Sequence, residues 1–329
     1  NNETGKVFPI FASKTILSTG GLGQIYIHTT NPPEATGDGI AAAWRAGARC
    51  FNLQYIQFHP TTFYGERERF LISESLRGEG AVLKDKDGKE FMNKYHTLGS
   101  LAPRDIVARA IHHTLLESKH PCVYLDISFK DGEWLRNRFP TIYQHCFDAG
   151  VDITREMIPV VPAAHYFCGG VGVSLKGKTS LRRLYAVGEV SCTGVHGANR
   201  LASASLLENV VWAWEATNDA CNFSKFDEYF PDIFPWEEEN EFVDMAWIAQ
   251  DWLTVKNTMW NYVGLVRNQQ RLQRAKTTLR HLHTEIEQFY KKSKMTREIV
   301  ELRNGVQTAM AVFQFASEDR VSRGAHYIG

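Results

Sequence analysis

TILSTGGLGQIY, residues 15–26, is the stretch on which the fold turns. Its apolar start, Thr15-Ile16-Leu17-Ser18-Thr19, reads as a buried strand that ends in Gly20-Gly21-Leu22-Gly23. A strand running into a glycine turn is a feature of α/β architecture. The turn is a broken GxGxxG, with Tyr26 in the third glycine position. Such glycines let backbone approach a phosphate, or simply make a tight strand–helix turn; the local sequence leaves both readings open. No intact GxGxxG occurs elsewhere, so the chain carries no self-contained dinucleotide-phosphate fingerprint.

Outward from that turn, residues 37–49 (GDGIAAAWRAGAR) have helical spacing. A polar, motif-rich interval follows to about residue 160. Short strands are expected near 159–174 and 183–189, and a helix from Ala204 to Cys221. Residues 223–241 are rich in aromatics, proline and acid and read as a linker. Residues 241–315 are almost free of Pro and Gly, with Trp247, Trp252, Trp260, Val263 and Leu265 at helical intervals. That pattern predicts a bundle of about three helices, with the tryptophans packed rather than presented for binding. The basic run 267–280 reads as a solvated helix face.

Composition excludes several classes. Lys plus Arg (37) equals Asp plus Glu (37), so there is no cationic footprint for nucleic acid. No apolar stretch approaches the roughly 20 residues of a membrane span, and the N-terminus has no signal-peptide pattern. The six cysteines are scattered without a CxxC pair. This argues against a zinc ribbon or disulfide scaffold, implies no metal site, and favours reduced thiols in a cytoplasmic protein.

Candidate chemistry lies in cations and histidines in unusual settings. His59 sits in QFHPT, Arg104 in APRDIVARAI, His165 in PAAHYFCGG and Arg200 in HGANRL. Pro103 suits the first position of a helix, which puts Arg104 in its first turn, against the helix dipole. That suggests an anionic partner, either a ligand or a nearby acid. Two arginines and two histidines that converged would suit a dicarboxylate. Glu74 and Arg77, in LISESLRGEG with Ser73 and Glu79, are three apart and would touch on a helix, as a proton relay or as a plain ion pair. Gly188-Glu189 closes a strand, where α/β sheets present ligands. Ser203, Ser205 and Leu206 open a helix, whose first N–H groups suit an anion or polar acceptor.

Six motifs in order, NLQYIQFHPT, LRGEGA, APRDIVARAI, VPAAHYFCGG, LYAVGE and TGVHGANRLAS, resemble the succinate dehydrogenase/fumarate reductase flavoprotein family. The likeness runs from about residue 14 to 327. PAAHY, TGVHGANR and YLDIS favour its aspartate-oxidising branch, whereas SRGAHY near the C-terminus is shared ground. The resemblance implies noncovalent FAD, hydride transfer from C2 of L-aspartate to give iminoaspartate, and reoxidation by oxygen or fumarate, in the route to NAD with quinolinate synthase as a partner. It assigns His59, Ser73, His165 and Arg200 to the substrate carboxylates. Arg104 becomes the acid/base residue, with Glu74 and Arg77 as its relay. Arginine keeps its proton to beyond about pH 12, so on physical grounds Arg104 is also a charge clamp. Gly20, Gly21, Asp38 and Glu189 fall to the FAD, and the backbone of Ser205 and Leu206 to the flavin's pyrimidine edge.

The implied fold is α/β plus α+β. It comprises the C-terminal part of an FAD-binding Rossmann-like domain (1–50 and 161–236), an inserted capping domain (51–160) and a helical C-terminal domain (237–329). Two departures are small: Ser73 stands where the family has threonine, and Ala204 where it has asparagine. A larger one is the lack of the family's opening βαβ unit with GxGxxG, so the chain is expected to start inside the FAD domain and to stop early after Tyr327. A fumarate reductase or succinate dehydrogenase flavoprotein, and a catalytically inactive fragment, stand as alternatives.

Overall fold

The computed structural model describes residues 6–65, 69–222, 232–233 and 244–329. In chain order its strands are β1 (Thr15–Leu17), β2 (Cys50–Phe51), β3 (Ile56–Phe63), β4 (Val82–Lys84), β5 (Val123–Asp126), β6 (Ile158–Phe167), β7 (Gly170–Gly172), β8 (Leu184–Ala186) and β9 (Ser191–Cys192). The helices are α1 (Asp38–Arg45), α2 (Ser75–Gly78), α3 (Arg104–Ser118), α4 (Gly132–Arg138), α5 (Pro140–Asp148), α6 (Ala204–Cys221), α7 (Met245–Tyr262), α8 (Gln269–Lys292) and α9 (Arg297–Glu318). They form two compact units, one of residues 1–27, 31–56 and 166–329, the other of 28–30 and 57–165.

The second unit is built on a four-stranded sheet in the order β3-β6-β5-β4. The β4–β5 and β5–β6 pairs are antiparallel, with Leu83 opposite Leu125 and Leu125 opposite Ile158. Ile72, Leu76, Leu83, Ile111, Leu125 and Ile158 are completely buried together. Three prolines lie on these strands, Pro159 opposite Tyr124 and the other two where pairing ends or is one-sided. Pro60 lies on β3, an edge strand, and Pro162 on β6 lies beyond the three residues paired with β5. All eight residues of β3 are buried, polar ones included. Thr61 and Thr62 are satisfied by donating to the carbonyls of Ile72 (2.9 Å) and Val161 (2.7 Å).

The first unit holds the parallel pair β1–β8, the three-stranded sheet β2-β7-β9, and the helices α1 and α6–α9. Side-chain caps start three helices: Asp244 accepts from Ala246 N, Asn268 from Arg271 N and Thr296 from Ile299 N. The bundle and the helix Ala204–Cys221 match the sequence reading. Trp247 stacks on Phe289 with ring centroids 5.6 Å apart, yet it stays 54% exposed and is less packed than expected. Gly305 of α9 leaves room for the Trp252 indole of α7, against which any Cβ there would press.

Three expectations need correction. The strand from Thr15 is shorter and more open than read: β1 spans Thr15–Leu17, with Thr15 and Ile16 exposed, because among the described residues β8 alone pairs with it. The strand expected over 159–174 is two strands, broken at Gly169, whose missing side chain allows contact with the Asn52 carbonyl. The run 267–280 is not uniformly solvated, since Arg267 is completely buried. Its guanidinium donates to the carbonyls of Val263 (3.2 Å), Gly264 (3.1 Å) and Gln54 (2.9 Å) and meets His326 Nδ1 at 2.6 Å. Most of the linker read over 223–241 lies outside the described residues.

Candidate functional site

In the second unit, β3 and β6 each carry one of the singled-out histidines. His59 and His165 meet edge to face, with ring centroids 5.4 Å apart. His59 is buried, and its Nδ1 lies 3.1 Å from the Thr61 carbonyl. His165 Nδ1 pairs with the Thr30 hydroxyl at 2.8 Å, which fixes that ring. Burial above all, then His165, Arg104 and Arg77, hold His59 well below the usual histidine range. His59 is therefore neutral near pH 7.

Arg77 and Arg104 converge on one acid, Glu74. Pro103 caps α3 and Arg104 is its first residue, one position from the sequence reading, so Arg104 does lie in the first turn. Its Nε donates to Glu74 Oε2 at 2.6 Å. Glu74 Oε1 is 3.4 Å from Arg77 Nη2, so one carboxylate bridges two guanidiniums. Arg77 is buried, donates through Nη1 to Ser100 O at 2.9 Å, and has no hydrogen-bond partner at Nε or Nη2. Burial, with Arg104 adding to it, lowers its hold on the proton, while Glu74 opposes this. Ser73 Oγ accepts from Ser75 N at 3.2 Å, at the start of α2. Glu79 pairs instead with Arg138 at 3.2 Å.

In the first unit, Glu189 lies in a 3-10 turn directly after β8. Its Oε1 accepts the Phe167 N–H at 2.8 Å, and its carboxylate occupies the space that a side chain at Gly21 would need. Burial raises Glu189 to about 7, against the opposing effects of the Phe167 N–H and Arg200. Gly20 has a left-handed backbone (φ 72°) and faces open space. Ser203 caps α6, with an unusual φ of 64° and no side-chain bond. The Leu206 N–H contacts Ser203 O at 3.2 Å, and the Ser205 hydroxyl accepts from Arg200 Nη2 at 2.6 Å. Asp38 begins α1, where its oxygens accept from Thr36 and from Asn304, both at 2.5 Å. Its carboxylate is thus engaged in tying α1 to α9.

The sequence reading missed His196 and Glu208. Glu208 is buried, yet accepts from His196 (2.7 Å), Tyr166 (3.1 Å) and Thr193. It lies three residues after Ser205 on the buried stripe of α6. An acid on an inward stripe was the signal that could have found it. Among the described residues no three His, Cys, Asp or Glu side chains are placed to hold a metal ion, and no helix is long and apolar enough to cross a membrane.

Residues 1–206 match the FAD binding domain family, and 253–328 match the fumarate reductase flavoprotein C-terminal family. The chain is 46% identical to an L-aspartate oxidase of Pseudomonas aeruginosa, over 99% of its own length and 61% of the relative's. It is likewise 46% identical to an L-aspartate oxidase of Yersinia pestis, covering 62% of that protein. The chain thus spans about three fifths of the length of these curated relatives. Among solved structures, an Escherichia coli quinol fumarate reductase superposes with a TM-score of 0.82 at 28% identity, over 96% of this chain and 60% of that one. A quinol-fumarate reductase with menaquinol molecules gives 0.83 at 28% identity, over 99% of this chain and 62% of that one.

Proposed function

This chain belongs to the FAD-binding-domain family of flavoproteins, and we propose that it serves the oxidation of L-aspartate to iminoaspartate. The observation that carries the reading is the Arg77–Glu74–Arg104 array, in electrostatic reach of the buried His59. FAD, when bound, supplies the acceptor for the hydride leaving C2. Glu189, the backbone at Gly20 and Gly21, and the first turn of α6 fit such a group: a partly buried carboxylate near its midpoint at neutral pH, lodged beside Gly21, and open space next to Gly20. Asp38, with both oxygens engaged inside the chain, fits it less well.

The chain's own residues do the remaining work. His59, Ser73, His165 and Arg200 bind carboxylate oxygens, with neutral His59 as an N–H donor. Arg104 is both charge clamp and proton carrier. With fumarate as the final acceptor, one alkene carbon would take the hydride from reduced FAD, and the other would take its proton from the Arg104 guanidinium. Glu74 returns a proton to Arg104 Nε across the 2.6 Å contact and takes its own replacement from water on its exposed side, while Arg77 holds Glu74 in place from 3.4 Å. Burial, with Arg104 beside it, lowers the hold of Arg77 on its own proton. Oxygen as acceptor, residues 51–160 as a cap, a cytoplasmic location, and delivery of the unstable imine to quinolinate synthase on the route to NAD complete the proposal.

Changing Arg104→Ala tests it. Turnover of L-aspartate should fall by at least about a hundredfold, the scale of a general acid, with FAD content unchanged. Near-native turnover would remove Arg104 from the chemistry. The likeness to quinol fumarate reductases favours a second reading, succinate oxidation, in which succinate alone would reduce the flavin.

A further inference from the structure

We infer that Tyr166 is a positioning residue that holds the Arg200 guanidinium for carboxylate binding, and that Glu208 and His196 set Tyr166 in place. The inference rests on Arg200 being a substrate contact, as proposed above. It begins with a group the mechanism leaves unused: Glu208 is a buried carboxylate with three donors around it. Burial opposes its charge, but hydrogen bonds from His196, Thr193 and Tyr166 hold it below the usual glutamate range. A buried, ionised and fully coordinated acid is costly unless it orders its neighbours, and its donors identify which neighbours those are.

One of them is the Tyr166 hydroxyl, 3.1 Å from Glu208 Oε2 and 3.2 Å from His196 Nε2. His196 donates through Nε2 to the same Oε2 at 2.7 Å, so the tyrosine hydroxyl and the imidazole are fixed against one oxygen. The two rings meet at 85° with centroids 5.1 Å apart, which sets the phenol plane as well as its tip. Burial, the first cause, and the Glu208 charge keep the phenol protonated far above neutral pH, so it stays a donor.

The face of that ring carries the Arg200 guanidinium, with Cζ 4.4 Å from the ring centroid. The ring face limits where the guanidinium can sit, and the 2.6 Å bond from Nη2 to Ser205 Oγ limits how it can turn there. Bidentate carboxylate recognition requires both. The geometry is therefore a chain of constraints running from Glu208 to His196 and Tyr166, and from Tyr166 to Arg200. Arginine on a flexible stem would otherwise sample many rotamers, and that freedom would weaken binding.

The test is a double-mutant cycle on the FAD-loaded protein. Binding of succinate is read by titration calorimetry, with KM and kcat for L-aspartate alongside. Arg200→Ala alone should weaken succinate binding; no change there would overturn the role of Arg200 and leave Tyr166 nothing to position. With Arg200 present, Tyr166→Leu should weaken succinate binding and raise KM by about tenfold, between the exposed and fully desolvated cation–π scales, with a much smaller effect on kcat. Tyr166→Phe keeps the platform but loses its anchor, and should cost about threefold. In the Arg200→Ala background, Tyr166→Leu should have no further effect. An equal loss in both backgrounds would overturn the inference, as would full-strength binding by Tyr166→Leu. Should the leucine variant not fold, Glu208→Gln serves with the same cycle: about a threefold loss that disappears with Arg200→Ala supports the inference, and a loss that persists overturns it.

Discussion

Glu189→Gln should change how stability depends on pH, by an amount the structure sets. The carboxylate is raised from the usual 4.5 to about 7, first by burial, while it holds the Phe167 N–H at 2.8 Å and fills the space beside Gly21. An acid with its folded value above its unfolded value stabilises the fold only while it stays protonated. Below about pH 4.5 both states carry the proton and nothing is lost. Between there and about pH 7 the unfolded chain releases its proton first, so folding stability declines as pH rises. The gap corresponds to about 3 kcal/mol, fully lost above about pH 7. Glutamine keeps the shape and an acceptor for Phe167 but cannot ionise. The stability of the variant minus that of the wild type should therefore climb by about 2–3 kcal/mol between about pH 4.5 and 8. Urea denaturation at steps across that window measures it, because any constant offset from the amide drops out of the slope. A difference that stays flat with pH would refute the buried-acid reasoning. Gly21→Ala, which forces the carboxylate out of its place, should move the profile the same way.

Other expectations follow from the same contacts. Gly305→Ala would gain about 1 kcal/mol from helix propensity alone, but its Cβ presses on the Trp252 indole, and overpacking costs about 1–3 kcal/mol. Net destabilisation in denaturant titration is expected, and a more stable variant would show that Trp252 yields freely. His28 is lowered to about 4 by burial and by Arg69, the opposite sign to Glu189. Its contribution is intact above about pH 6.5 and lost as pH falls towards 4, so His28→Gln should flatten the acid limb by about 2–3 kcal/mol. An acid limb as steep as the wild type's would show that His28 does not cause it.

What the sequence made legible was local. The spacing of α6, the three-helix bundle, the contact of Glu74 with Arg77 and the first-turn place of Arg104 all depend on residues within a few positions of one another. The glycine turn after β1 was recognisable, but the exposure of Ile16 depends on pairing with β8, some 170 residues away. Arg267 is hidden for the same reason. Its burial is made tolerable by the carbonyl of Gln54 and the ring of His326, and neither leaves a mark beside Arg267 in the chain. Tyr166, His196 and Glu208 meet only once β6, the loop after β9 and α6 are assembled. The convergence of His59 with His165 also lay beyond spacing, because it comes from the pairing of β3 with β6.

The central proposal is that this chain's residues serve an FAD-dependent oxidation of L-aspartate. Its most direct test is the flavin's visible absorbance, followed after L-aspartate is added to the FAD-loaded protein without oxygen. L-aspartate should bleach the flavin, succinate should not, and fumarate should restore the colour. Failure to take up FAD, a spectrum that L-aspartate leaves unchanged, or bleaching by succinate alone would contradict that proposal.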